Sequence, residues 1–113
     1  PSVKEAIKWK NHVEKLHPNI KEFVFIHGHV HVPRHQIVEN LTILCQGATG
    51  LPFDRDQRGS VAFLEVMDDR ITWDVHRYDY NKDKTSAQLE KRKPPFYTNL
   101  MNTIRLASIR NDI

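Results

Sequence analysis

The feature that most constrains this chain is a short apolar run, Phe23-Val24-Phe25-Ile26, that breaks off at His27-Gly28-His29-Val30-His31-Val32-Pro33. The run is too short for a stable helix and partly β-branched, so it reads as a strand of the kind buried on both faces of a sheet. Glycine and proline then interrupt the pattern, which makes the histidine-rich segment a loop at the strand's end. Four of the chain's seven histidines lie between His27 and His35, and the rest of the fold has to be arranged around a strand that delivers them to one place.

The neighbouring elements follow from capping and periodicity. Ser2 and Glu5 have capping-box spacing, and Val3, Ala6, Ile7, Val13 and Leu16 fall on one face of an amphipathic helix. Pro18 stops it at His17, because proline disfavours helical geometry in the residue before it. The helix leads into the apolar run, which is expected to be a central strand. His35 to Glu39 and Leu41 to Cys45 flank Asn40 as a hairpin, and Gln46 to Asp56 is a long loop rich in turn residues. Ser60 to Met67 then pairs with Ile71 to Tyr78 about Asp68-Asp69-Arg70. In the second of these strands Ile71, Trp73 and Val75 alternate with Thr72, Asp74 and His76, which puts one face inside. A helix runs from about Asn81 to Arg92, and Pro94-Pro95 opens a last helix with Phe96, Leu100, Ile104 and Ala107 on one face. The fold class is α/β, mainly antiparallel hairpins with flanking helices.

Length and composition narrow the function. A chain of 113 residues buries roughly two thirds of its surface, enough for one core and no second domain. Cys45 is the single cysteine, so no internal disulfide forms. No apolar run approaches the roughly 20 residues of a membrane span, and no charged-then-apolar leader opens the chain. A cytoplasmic location without a membrane partner is expected, with Pro1 following either a removed initiator methionine or a cut in a longer polypeptide. The net charge of +3 is spread along the chain, and no basic run is interleaved with aromatics, so nucleic acid is not the expected partner. Lys91-Arg92-Lys93, the densest basic cluster, reads as the positive last turn of a helix.

Imidazole is the commonest nitrogen ligand for transition metals, and three imidazoles at alternate positions project to one side of an extended chain. His29 and His31 are therefore candidate metal ligands, with His27 in a supporting position behind them. Gly28 allows a sharp turn or a close backbone approach, and Pro33 stiffens the exit. Other possible donors have blander readings. Asn11-His12 belongs to a solvated helix face, Asp54 and Asp56 to turns, and Asp74-Val75-His76 to a hairpin strand. Cys45 is a small strand-end hydrophobe. No catalytic side chain is assigned.

The stretch from Phe25 to Pro33 resembles the Gly-His-x-His signature of the calcineurin-like metallophosphoesterases, in their small bacterial and archaeal phosphodiesterase branch. Gly47-Ala48-Thr49-Gly50-Leu51-Pro52-Phe53-Asp54-Arg55-Asp56, with the strand Val61 to Val66, is similar to that branch's Gly-Ser-x-Gly-x-Pro loop and following strand. Tyr78-Asp79-Tyr80, a helix and Pro94-Pro95-Phe96 resemble its usual ending. The resemblance runs from about residue 20 to about residue 105. It implies the C-terminal half of an αββα sandwich in which two metal ions activate a bridging water or hydroxide to attack a phosphoester. It also implies His31 on the first metal, His29 on the second, and Gly28, Gly47 and Gly50 in loops near the site. The implied cofactor is a divalent ion, manganese first, with zinc, iron or nickel as alternatives.

Two departures qualify that picture. Cys45-Gln46-Gly47-Ala48 stands where Asn-Pro-Gly-Ser is common in the family. The family's upstream ligands, an Asp-x-His, a Gly-Asp and a Gly-Asn-His, do not occur in residues 1–27. Two imidazoles do not hold a dinuclear site, since even one catalytic zinc normally has three protein ligands. Residues 1–113 are thus expected to be a single incomplete domain that binds metal weakly by itself. It would be the C-terminal part of an enzyme hydrolysing phosphomonoesters or phosphodiesters, inactive without the missing ligands. Half a sandwich leaves an open sheet edge and an apolar face, so the expected partner is the missing N-terminal half or a second copy of the chain. A non-catalytic scaffold or interaction module on the same half-fold is the alternative, with a stand-alone histidine-rich metal-binding protein as a third.

Overall fold

A computed structural model describes residues 1–109. Helix α1 (Val3–Leu16) starts where the capping box places it: the Ser2 hydroxyl accepts from the Glu5 N–H at 3.1 Å, and the Glu5 carboxylate accepts from the Ser2 N–H at 2.8 Å. Two of the helix's otherwise orphaned donors are thereby satisfied. Its inner face packs Ala6 against Phe23, Leu41 and Ile43, with Val3, Ile7, Val13 and Phe25 around them. Leu16, expected on that face, is exposed, because the buried stripe ends at Val13. Lys10 is buried, and its ammonium reaches Glu14 at 3.6 Å and Glu39 at 3.8 Å. It pins the helix to the turn of the first hairpin.

Five strands follow: β1 (Phe23–Ile26), β2 (Pro33–Val38), β3 (Leu41–Gln46), β4 (Gly59–Val66) and β5 (Ile71–Tyr78). They form a three-stranded sheet in the order β1-β3-β2 and a separate β4-β5 hairpin. β2 and β3 are antiparallel about the tight turn at Glu39-Asn40, where Glu39 takes φ 56°. β1 runs parallel to β3, from Phe23 opposite Leu41 to Ile26 opposite Leu44. This corrects the expectation that β1 is central. It is an edge strand whose Ile26 is half exposed, and β3, buried along Leu41, Ile43, Leu44 and Cys45, is the middle one. Hydrophobic content placed the wrong strand inside because Phe23 and Phe25 gain their cover from α1 and not from a second neighbouring strand.

In the second hairpin Trp73, Val75 and Arg77 alternate as half-covered residues with exposed Thr72, Asp74 and His76. The period is as expected, but Ile71 is exposed and the face is only partly covered. Val61, Phe63, Leu64 and Val66 are exposed as well. Helix α2 (Lys82–Arg92) starts at an Asn81 cap, and its last turn carries Lys91 and Arg92. Helix α3 (Tyr97–Leu106) starts later than the proline pair suggested. Phe96 takes φ 62° and is exposed, so the prolines form the turn before the helix and Phe96 stays off its packing face. Ile104 and Ala107 are buried as expected. The chain measures 55 × 26 × 21 Å with a radius of gyration of 17.8 Å, against about 13 Å for a compact chain of this length. No described helix is long and apolar enough to cross a membrane.

Candidate functional site

β1 ends at Ile26, and the chain bends through residues 27–32 before β2 begins at Pro33, two residues earlier than the apolar pattern suggested. The positive φ falls on His29, at 70°, and not on Gly28. Histidine is among the residues that tolerate this left-handed conformation, so the glycine expected to make the turn is not the residue that makes it. The chain is not extended here, and the three imidazoles do not share one side. His29 and His31 face an open pocket of about 350 Å³ whose other walls are Gln46, Gly47, Ala48, Thr49, Gly50 and Leu51. The histidine loop and the glycine-containing loop thus converge, bringing His29, His31, Gly47 and Gly50 together.

His31 is fixed on both sides. Its Nδ1 lies 2.8 Å from the Leu51 carbonyl. A carbonyl only accepts, so Nδ1 carries the proton and Nε2 keeps its lone pair, the arrangement a metal-ligating imidazole needs. The ring also stacks on Phe53 with centroids 4.5 Å apart and planes 22° apart, and the His31 carbonyl accepts from the Phe53 N–H at 2.9 Å. Beneath the loop the buried Cys45 thiol donates to the Val30 carbonyl at 3.3 Å. His29 is exposed. His27 is turned away, with Nδ1 3.1 Å from the Gly28 carbonyl and Nε2 3.3 Å from the Arg34 guanidinium. Both its ring nitrogens are engaged, and it does not line the pocket. Gly28 lies in the open, with free space where a side chain would stand.

The facing loop is tied down carbonyl by carbonyl. The buried Ser60 hydroxyl donates to the Gln46 carbonyl at 2.6 Å and to that of Ala48 at 3.2 Å, and the Ser60 N–H donates to Ala48 at 2.8 Å. The Tyr78 hydroxyl donates to the Thr49 carbonyl at 2.7 Å and the Tyr80 hydroxyl to that of Gly50 at 3.1 Å. Burial pushes the Tyr80 phenol pKa up, so it stays a donor at neutral pH. Gly47 takes φ 90°, and a side-chain carbon there would stand 2.7 Å from the Ser60 hydroxyl. None of these strap residues stood out in the sequence as part of a site. A signal was present in Tyr78-x-Tyr80, two phenols on one side at a strand's end, but their target is set by tertiary placement.

The remaining donor candidates make structural pairs elsewhere. Arg77 pairs with Asp54 and Arg58 bonds Asp56 at 2.9 Å. The Arg58 side chain and N–H hold the Asp56 carboxyl well below the usual carboxylate range. His76 and Asp74 pair with each other at 2.9 Å on the exposed face of β5. Among the described residues the pocket walls contain no carboxylate, and no three His, Cys, Asp or Glu side chains are grouped so as to hold a metal ion.

No family model matches the chain, and no curated protein matches it. A solved structure does: the crystal structure of a metallophosphoesterase from Sphaerobacter thermophilus, at 27% sequence identity and a TM-score of 0.60. The match covers 74% of this chain but 42% of that one, so the chain spans less than half the length of the protein it resembles. With its small hairpin-built sheets and flanking helices, the chain carries part of the metallophosphoesterase fold.

Proposed function

We propose that this chain supplies His29 and His31 to the divalent-metal site of a cytoplasmic phosphoesterase, the remaining ligands coming from polypeptide beyond it. The observation that carries this reading is the convergence of two segments distant in sequence on one pocket, with the His31 Nδ1 bonded to the Leu51 carbonyl so that Nε2 is left with its lone pair. That donor suits a transition ion, and manganese is the ion the resemblance favours. The donor set is nevertheless incomplete. Two imidazoles without a carboxylate fall short of the three protein ligands a catalytic ion normally has, so these residues do not complete a catalytic metal site by themselves. The shape agrees with an incomplete unit: an open β1 edge, an uncovered hairpin and an elongated outline.

The test is a manganese titration combined with an assay of a chromogenic phosphodiester, with this chain alone and with a polypeptide carrying the upstream ligands. Turnover only in the mixture, lost in His31→Ala, is the expected result. A stable mixed complex without turnover under any metal would overturn the enzymatic reading. That outcome would favour a non-catalytic interaction module, the role to which the exposed Val61, Phe63 and Val66 of the hairpin also lend themselves.

A further inference from the structure

The straps behind the loop fix more than its position. No cis peptide bond occurs among the described residues, and in a trans peptide the carbonyl and the N–H of the next residue point in opposite directions. The carbonyls of Ala48, Thr49 and Gly50 are drawn to Ser60, Tyr78 and Tyr80. None of these three donors lines the pocket, whereas Thr49, Gly50 and Leu51 all do. The N–H groups of Thr49, Gly50 and Leu51 therefore face away from the straps, on the pocket side of the loop. None of the three donates to another described residue. Successive backbone N–H groups turned to one side of a loop make an anion-binding concavity.

We propose that the amides of Thr49, Gly50 and Leu51 form a binding site for a tetrahedral oxyanion, with Tyr78 and Tyr80 as the residues that position them. No carboxylate of the described residues stands in the pocket walls to repel such a ligand, and His29 and His31 close the opposite wall. The choice of a phosphoryl group among oxyanions rests on the phosphoesterase reading; the amide geometry does not. Within that reading the site would hold the phosphoryl oxygens beside the imidazoles.

The experiment is a titration of the 15N-labelled chain with inorganic phosphate, in EDTA and at constant ionic strength, followed by amide chemical shifts. A parallel titration with dimethyl phosphate separates a diester preference from a monoester one. The expected result is that the Thr49, Gly50 and Leu51 resonances move downfield along one saturating curve with at least one of the two ligands. Tyr78→Phe and Tyr80→Phe together should weaken that binding at least fivefold. Gly50→Pro, which removes one of the three N–H groups, should lose binding. Shifts scattered over the lysines and arginines, or three unmoved loop amides, would overturn the proposal. So would unchanged affinity in the double tyrosine variant. Because the titration contains no metal, its failure leaves the histidine reading standing, and a failed manganese titration leaves the amide site standing.

Discussion

Replacing Gly47 with alanine should damage the chain in a way that depends on Ser60. Alanine at φ 90° is strained by about 1–2 kcal/mol. Its methyl would also stand 2.7 Å from the Ser60 hydroxyl, far inside contact distance, so the hydroxyl must swing away and abandon its bond to the Gln46 carbonyl. Losing a buried hydrogen bond costs about 1–3 kcal/mol, so Gly47→Ala should cost about 2–5 kcal/mol. Ser60→Ala removes the same bond without the strain and should cost about 1–3 kcal/mol. In the double variant there is no hydroxyl left to displace, and the total should be close to that of Gly47→Ala alone. Urea denaturation of the four proteins gives the coupling directly. Near Tm, each 1 kcal/mol corresponds to about 4 °C for a chain of this length, so thermal melts resolve it too. If the two single effects add to within about 0.5 kcal/mol, the contact does not operate and the account of the strap is wrong.

Three other perturbations address separate parts of the molecule. Asp56 titrates below its ordinary 3.8 in the folded chain, so its ion pair contributes stability above that value and loses it as pH falls through the lower folded one; the Tm deficit of Asp56→Asn should be constant from pH 7 to about 4 and shrink below, and a deficit that grows on acidification would contradict the pairing. Lys10 is buried against two glutamates that are themselves largely exposed; Lys10→Met should stay within about 1 kcal/mol of the parent in urea, whereas Lys10→Ala, which also loses the packed stem, should be clearly weaker. The open β1 edge and the exposed Phe63 favour association: light scattering should find the chain associated and Phe63→Glu closer to monomer, and a well-behaved parent monomer would count against the incomplete-domain reading.

Local chemistry made some of this structure legible from the residues alone. The capping box at Ser2 and Glu5 needs only four consecutive residues, and it marks the start of α1 correctly. The turns at Glu39-Asn40 and Asp68-Asp69-Arg70 likewise announce their own hairpins. What sequence left open is decided at long range. Whether Phe23 to Ile26 is an edge or a centre depends on which strands lie beside it, and a buried appearance from α1 mimics one from a second strand. The histidine cluster pointed to a segment that lines a pocket with His29 and His31. It could not show that His27 would turn toward Arg34 while His31 locked onto Leu51, because Arg34 and Leu51 are brought there by other elements. Tyr78 and Tyr80 were visible as residues of an ending and invisible as straps, since a hydroxyl's target two elements away leaves no periodic trace.

The strap also ties the β4-β5 hairpin to the three-stranded sheet. Ser60, Tyr78 and Tyr80 sit at the base of the β4-β5 hairpin, while Gln46 and His31 belong to the three-stranded sheet and its loop, and β3 meets β4 in the same region. The pocket wall is consequently one place where the two sheets are fastened together, and Pro33 to His35 of β2 beside Trp73 and Val75 of β5 is another. Parting the sheets would break these bonds and open the pocket, and anything seated there would resist the parting by mass action. Occupancy would then be felt beyond the loop, as added resistance to separation of the β4-β5 hairpin from the three-stranded sheet.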